Sequence, residues 1–184
     1  MKRLSRHLRS CLKHFSRQKK GVVAVEFAMI LPLLLIFYLG AFEGSQALSA
    51  NRKVEAIADT VGNLVSRSTA MDTTRLTNIM AISKAILAPF ATTGLVMTVT
   101  TVRVDVNGKA TVDWSKASSG NGLAAGSAYT LPADLRGFTD TYFVFSTAAY
   151  PYKALLGYGG MIPSMTMAET TSFRPRKSSE IPFS

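Results

Sequence analysis

A long apolar run, Val22 to Phe42, constrains this chain more than any other feature. The run follows two lysines and Gly21, and Glu26 is the only charged residue inside it. A helix of that length rises about 32 Å, enough to cross a hydrocarbon core of about 30 Å. The run therefore predicts a membrane-spanning helix over residues 22–43. Because a carboxylate inside such a helix is costly, Glu26 is a candidate functional residue.

The positive charge of the chain is concentrated before this run. The net charge is +10 over 184 residues, but residues 1–20 hold eight of the 21 basic residues and none of the 11 acidic ones. Basic clusters directly before an apolar span stay in the cytoplasm, where they can also contact anionic lipids. Nucleic-acid binding is the alternative, but Phe15 is the only aromatic residue there and the segment abuts the span. We therefore expect a membrane partner and no nucleic acid.

These observations predict three parts in a single-pass protein. Residues 1–21 form a basic cytoplasmic leader, residues 22–43 the transmembrane helix, and residues 44–184 an extracytoplasmic α+β domain. The leader is either a helix on the membrane surface or a disordered basic tail. A secretory signal peptide is disfavoured because the apolar run exceeds the usual length of about 7–15 residues. The anchor is thus either retained or cut on its cytoplasmic side.

The outer domain lacks the residues of common catalytic and metal sites. Cys11, His7 and His14 all precede Gly21, which excludes Cys/His nucleophile pairs, Ser-His-Asp triads and ordinary zinc sites beyond that point. The aspartates of the outer domain are scattered, and we interpret them as solvated surface. They are Asp105, Asp113, Asp134 and Asp140. No enzymatic activity, metal or cofactor is expected.

The helical pattern continues past the predicted span. Pro32 should bend the helix because it removes the hydrogen bond to the carbonyl of Ala28. Apolar residues then recur three and four apart, so one helix is predicted from about Gly21 to about Ser68, amphipathic in its second half. That half needs a partner surface. Either the outer domain of the same chain or helices of other subunits can supply it.

A second helix and a small antiparallel sheet are predicted next. Asp72 caps a helix from Thr73 to about Ala88, which Pro89 ends. Three Val-, Thr- and aromatic-rich segments follow as strands, the middle one central because it is aromatic on both faces. They are Leu95–Asp105, Thr141–Tyr150 and Ser164–Phe173. Three other segments are predicted as a mobile loop (Ser115–Ala128), a loop (Pro151–Gly160) and a frayed tail from Arg174 onward.

The first strand pairs with a segment that follows the turn signal Val106-Asn107-Gly108. A three-residue loop with Gly108 in the left-handed conformation separates a charged face from an apolar one, whereas a two-residue loop mixes the faces. We therefore predict the three-residue loop. Its pairs are Asp105 with Lys109, Val104 with Ala110, Val102 with Val112, and Thr100 with Trp114.

The position of Glu26 relative to Gly21 suggests an assembly role. If the chain is cut after Gly21, the new amino group of Val22 and the Glu26 carboxylate lie about one helical turn apart. In an apolar setting the two charges can neutralise each other, or Glu26 can attract the amine of a neighbouring subunit. The alternative is that Glu26 reaches the membrane interface and is favoured there by the helix dipole. Physical reasoning alone leaves both open.

The residues around Gly21 resemble a known pattern. Gly21 to Ala28, after a basic leader, resembles the type IV prepilin processing site, where a peptidase cuts after glycine and glutamate is the fifth mature residue. The fuller run also resembles the TadE-like family of minor pseudopilins of tight-adherence (Flp-type) pilus systems. Its matching residues are Glu26-Phe27-Ala28, Leu31-Pro32-Leu33-Leu34 and Phe42-Glu43-Gly44, so the specific likeness covers about residues 19–44.

The resemblance implies a non-enzymatic protein of the bacterial inner membrane that helps to assemble an adhesive pilus. Gly21 and Val22 would flank the cut, and Glu26 would be the assembly carboxylate. The implied partners are a prepilin peptidase, other pilins or pseudopilins, and the assembly machinery. The chain is long for a major pilin of this class, which favours a minor subunit, and Val22 stands where many type IV pilins have Phe. The alternative is an uncleaved single-pass protein whose periplasmic domain binds a partner or ligand.

Overall fold

The structure, a computed structural model, describes residues 19–154 and 165–184. The predicted leader before Lys19 therefore lies outside the described residues. The chain divides into two compact units, Met1–Ser45 and Gln46–Ser184. The elements are helices α1 (Lys19–Ser66) and α2 (Thr73–Lys84), and strands β1 (Val96–Val104), β2 (Ala110–Ala117), β3 (Thr141–Tyr152) and β4 (Met165–Phe173), with short 3-10 turns at Ala85–Leu87 and Ala133–Leu135.

Helix α1 is continuous, as predicted, and contains Pro32. Its second half buries a stripe of residues with no exposed surface, spaced three and four apart: Ala50, Val54, Ile57, Ala58, Val61 and Val65. This stripe packs in one core cluster with residues of the sheet such as Val99 and Val144. The chain's own domain therefore supplies the partner surface for the amphipathic half.

The four strands form one antiparallel sheet in the order β2-β1-β3-β4. Strand β3 lies between β1 and β4, which confirms its predicted central position. Its two faces belong to different clusters. Tyr142 and Val144 face the helices, whereas Phe143 and Phe145 pack with Val102 and their neighbours on the opposite side. The fold is α+β, as expected.

The hairpin register is partly as predicted. Val104 pairs with Ala110 and Val102 with Val112, and Gly108 has a φ of 80° at the turn. The predicted pair of Thr100 with Trp114 is wrong. Thr101 pairs with Trp114 because a bulge between Val112 and Trp114 inserts one residue into β2. Since one extra residue reverses the side of every later side chain, Trp114 joins the helix-side cluster.

Helix α2 begins where predicted. The Asp72 carboxylate accepts a hydrogen bond from the Arg75 backbone N–H at 2.7 Å, and the helix buries Leu76, Met80 and Ser83. The α-helix ends at Lys84, earlier than predicted. A 3-10 turn at Ala85–Leu87 completes the predicted span.

The predicted loop over Ser115–Ala128 is partly wrong. Its first three residues extend β2, and the segment then folds back along that strand. Val112 donates its backbone N–H to the Ser127 carbonyl at 2.9 Å, and Tyr129 donates to the Ala110 carbonyl at 3.0 Å. These bonds cover the outer edge of β2 at its first three residues. The predicted loop Pro151–Gly160 starts too early because Pro151 and Tyr152 belong to β3, and its residues from 155 onward lie outside the described residues.

The prediction of a frayed C-terminal tail is wrong. Arg176 donates its backbone N–H to the Ser66 carbonyl at 2.8 Å. Further along, Met71 exchanges backbone bonds with Pro182 and Ser184, both at 2.9 Å. Ile181 has no exposed surface. The tail is therefore an integral part of the outer unit, held by backbone bonds that a polar composition does not reveal.

Candidate functional site

The predicted processing and assembly residues lie near the N-terminal end of the described part of α1. Gly21, Val22 and Glu26 all lie within the helix that the structure describes from Lys19 to Ser66. Val22 and Glu26 are four residues apart, which places their side chains on one face, separated by an axial rise of about 6 Å. The helix thus brings these two positions together. Local helix geometry alone sets the spacing of Val22 and Glu26, so this spacing does not depend on tertiary packing.

The surface around Glu26 is apolar. Its helical neighbours at three and four positions are Val22, Val23, Met29 and Ile30, each more than half exposed. Glu26 is exposed as well. Among the described side chains, Arg103 forms an ion pair with Glu180, and Glu26 forms no ion pair. The carboxylate therefore stands on an apolar helix surface where a cation from outside the described part of the chain can reach it.

The first half of α1 has the character of a membrane anchor. Its most apolar window has a mean hydropathy of 2.5, and none of that window is buried. Large side chains such as Met29 (77% exposed) and Phe37 (68%) lie open along it. Soluble proteins rarely expose contiguous apolar patches above a few hundred Å². By length and composition this helix can cross a membrane, and we identify it as a single anchor.

Gly62 lies close against side chains of β3 and β4. A Cβ built on Gly62 would lie 2.5 Å from Cε2 of Phe173 and 3.0 Å from Cβ of Ser146. Further toward the N-terminus, the Asn51 side-chain amide donates to the Glu169 carboxylate at 3.0 Å. These contacts fix the helix over β3 and β4. Our sequence interpretation missed Gly62, although a lone glycine inside an amphipathic helix is a usable signal of close packing.

A hydrogen-bond cluster joins the tail to the bulged strand. The Trp114 indole N–H donates to the Ile181 carbonyl at 2.7 Å, and the Tyr142 hydroxyl donates to the Asp113 carboxylate at 2.6 Å. Burial, and next the hydrogen bond to Asp113, raise the pKa of Tyr142 well above its usual range. Asp113 was interpreted as a solvated acid. It is half-buried and has a specific partner because it lies in the bulge.

The other aspartates that we considered as candidate catalytic residues either have a structural role or lie on the surface. Asp105 accepts backbone hydrogen bonds from Asn107 and Lys109 and so stabilises the hairpin turn. Asp134 and Asp140 are exposed. Within residues 19–154 and 165–184, no group of three His, Cys, Asp or Glu side chains is placed to hold a metal ion.

A comparison with protein families matches the helix that carries these residues. Residues 21–62 match the family described as TadE-like protein. The match covers less than a quarter of the chain, begins at Gly21 and ends at Gly62, the position where α1 touches β4. Comparisons with curated proteins and with solved structures give no match.

Proposed function

We propose that this chain, whose residues 21–62 belong to the TadE-like family, is a pseudopilin-like protein that takes part in assembly of a tight-adherence (Flp-type) pilus. One observation carries the proposal. The family match coincides with a single continuous helix whose first half is apolar and exposed and whose second half packs on the chain's own sheet. Such a helix couples a membrane anchor to an outer unit. Proteins of this kind act by assembly, and we propose no enzymatic activity.

The proposed arrangement has the N-terminus in the cytoplasm. Residues 1–21 are the leader, residues 22–43 cross the bacterial inner membrane once, and residues 44–184 form the periplasmic domain. The basic residues of the leader support this orientation because Lys and Arg next to a span remain on the cytoplasmic side. The outer unit, with its buried core and its lack of Cys, needs no disulfide to fold.

The proposed cut lies between Gly21 and Val22. Glycine disfavours a helix interior by about 1 kcal/mol relative to alanine, so the helix opens more easily at Gly21 for a prepilin peptidase than it would at an alanine. Cleavage then creates an α-amino group at Val22 on the same helix face as Glu26. A charge left unpaired in lipid is expensive. Pairing with the amine of the same subunit would neutralise Glu26 within one chain, whereas pairing with the amine of a neighbouring subunit favours assembly.

The proposed partners are the peptidase, other pilins or pseudopilins, and the pilus assembly machinery. The competing function is an uncleaved single-pass protein whose periplasmic domain binds a partner. The experiment that separates them is the mass of the protein purified from cells with and without an active prepilin peptidase. A product that begins at Val22 only in the presence of the peptidase supports the pilus function. A full-length product in both supports the alternative.

A further inference from the structure

A cavity of about 240 Å³ in the outer unit lies between α2, the end of β2 and the C-terminal tail. Its apolar wall includes Leu76 and Met80, which are 4% and 5% exposed, and Phe183. Its polar lining includes Lys84, Lys116 and the hydroxyl groups of threonine and serine side chains. The cavity thus combines an apolar floor with a cationic rim. None of the proposed processing and assembly residues lines this cavity.

The charges that line the cavity all have one sign. Lys84 and Lys116 are the two charged residues of the lining, and no carboxylate is among the described residues around it. Lys116 holds its ammonium 4.9 Å from the centre of the Phe183 ring, a cation–π geometry. Neither lysine forms an ion pair among the described residues. Both ammonium groups are therefore available to an anionic group at the rim.

The hydroxyl of Ser118 adds a fixed hydrogen-bond donor. Its oxygen accepts the Met97 backbone N–H at 2.9 Å, and the Ser118 backbone N–H donates to the Met97 carbonyl at 2.7 Å. These two bonds anchor the residue while leaving the hydroxyl proton free to point outward. A carboxylate oxygen at the rim can accept from this hydroxyl as well as from a lysine. Groups held in place before binding lose less entropy when a ligand arrives.

We infer that this cavity binds an acidic segment of a protein partner, with one apolar side chain on the floor and flanking carboxylates at Lys84 and Lys116. The size supports this occupant because pockets for drug-sized ligands usually have volumes of about 300–1,000 Å³. A single anchoring side chain in a pocket, surrounded by charge pairs, is a common pattern in protein recognition. The inference goes beyond the proposed pilus function and does not depend on cleavage at Gly21.

The test is a peptide titration on the full-length chain in phosphatidylcholine nanodiscs. The probe is Glu-Phe-Glu, amidated at its C-terminus and labelled at its N-terminus with an uncharged fluorophore, and Gln-Phe-Gln with the same label and amide is its neutral match. Anisotropy reports binding. Trp114, the single tryptophan, provides a second signal because its ring lies 5.0 Å from that of Phe183. The acidic peptide should bind with a change in Trp114 fluorescence, and the neutral peptide should bind more weakly.

The variants are Lys84→Gln, Lys116→Gln and the double variant, with Lys109→Gln as the matched control on the exposed hairpin turn. Each pocket lysine should contribute about two- to fivefold in affinity, as expected for a partly exposed charge pair. Lys109→Gln should leave the affinity unchanged. Ala81→Glu, which places a carboxylate in the lining without removing a lysine, should also weaken the acidic peptide.

Four results would overturn the inference. They are no binding of the acidic peptide at millimolar concentration, equal binding of the neutral peptide, unchanged affinity in the double variant, and equal or tighter lysine-dependent binding of free 3-phenylpropionate. The last result would assign the cavity to a small organic acid instead of a partner segment.

Discussion

Gly62 of α1 lies so close to Phe173 of β4 that a Cβ on Gly62 would come within 2.5 Å of the ring. The absence of a side chain at Gly62 therefore permits the contact between the amphipathic half of the helix and the last strand. The same position ends the TadE-like match. This contact adds to the buried stripe of α1 that packs the outer half of the helix against the sheet.

Gly62→Ala should destabilise the outer unit by about 1 to 2 kcal/mol. Overpacking costs about 1 to 3 kcal/mol, and the better helix propensity of alanine offsets up to about 1 kcal/mol of that cost. Urea unfolding of the full chain in micelles, followed by Trp114 fluorescence, measures the change.

Gly44→Ala is the matched control, because nothing lies within 4 Å of a Cβ at that position of the same helix. It should leave stability unchanged or raise it slightly. The double variant Gly62→Ala/Phe173→Leu should recover part of the loss, since the smaller side chain removes the contact with the new methyl group. A neutral or stabilising Gly62→Ala would contradict this account of the interface.

Trp114→Phe should release the C-terminal tail. The change removes the indole N–H that donates to the Ile181 carbonyl at 2.7 Å, and a lost buried bond plus lost packing costs about 1 to 3 kcal/mol. The amides of Met71 and Ser184 form the backbone hydrogen bonds between Met71 and the tail. Hydrogen exchange at these two amides should speed up more than exchange at the amides of β1 and β3.

The ion pair of the tail provides the comparison. Arg103 and Glu180 are 51% and 43% exposed, so Glu180→Gln should cost less than about 1 kcal/mol. If Glu180→Gln frees the tail as much as Trp114→Phe does, the buried indole bond is not what holds it.

Tyr142 should make the outer unit sensitive to alkaline pH. Its folded-state pKa is raised by burial and by the hydrogen bond to Asp113, so the unfolded chain releases this proton more readily than the folded one. The resulting stability is complete below about pH 10, the usual tyrosine pKa, and declines as the pH rises from there through the folded-state value.

The measurement is the free energy of unfolding of the wild type and of Tyr142→Phe between pH 8 and pH 11.5. The difference between the two proteins should be constant below about pH 10 and should shrink above it. A difference that stays constant across the whole range would show that Tyr142 titrates normally in the folded protein.

Sequence reasoning predicted the elements that depend on local pattern. The period of apolar residues identified α1, and Asp72 marked the start of α2. The turn at Gly108 predicted the hairpin register as far as the pair of Val102 with Val112. It failed where tertiary contacts decide. The bulge before Trp114 has no turn residue to mark it, and the reversal of the strand faces follows from that one insertion.

The tail was missed for the same reason. Arg174 to Ser184 is polar and rich in proline and serine, which indicated a frayed end. Its backbone nonetheless bonds to Ser66 and Met71, and Ile181 fills a site that no local pattern reveals. By contrast, the positions of Gly21, Val22 and Glu26 needed no tertiary information, because their spacing within one helix follows from the sequence.

Glu26→Ala and Glu26→Gln should leave membrane insertion and cleavage intact but reduce piliation on the order of tenfold or more. A hydrogen-bonded charge contact contributes about 1.5 to 3 kcal/mol, and about 1.4 kcal/mol corresponds to a factor of ten. Pili counted by electron microscopy, with membrane fractionation of the protein, provide the readout. Glu55→Gln, an equal charge change on the exposed outer half of α1, is the control and should assemble normally. Normal piliation with Glu26→Gln would remove the assembly role of the carboxylate.

Cleavage after Gly21 is tested by the intact mass of the protein, with N-terminal sequencing, from cells that contain an active prepilin peptidase. We expect a mature chain that begins at Val22, and Met1 retained when the peptidase is inactivated. A chain that still begins at Met1 in the presence of the active peptidase would rule out this processing and would leave an anchored periplasmic domain in place of a pseudopilin.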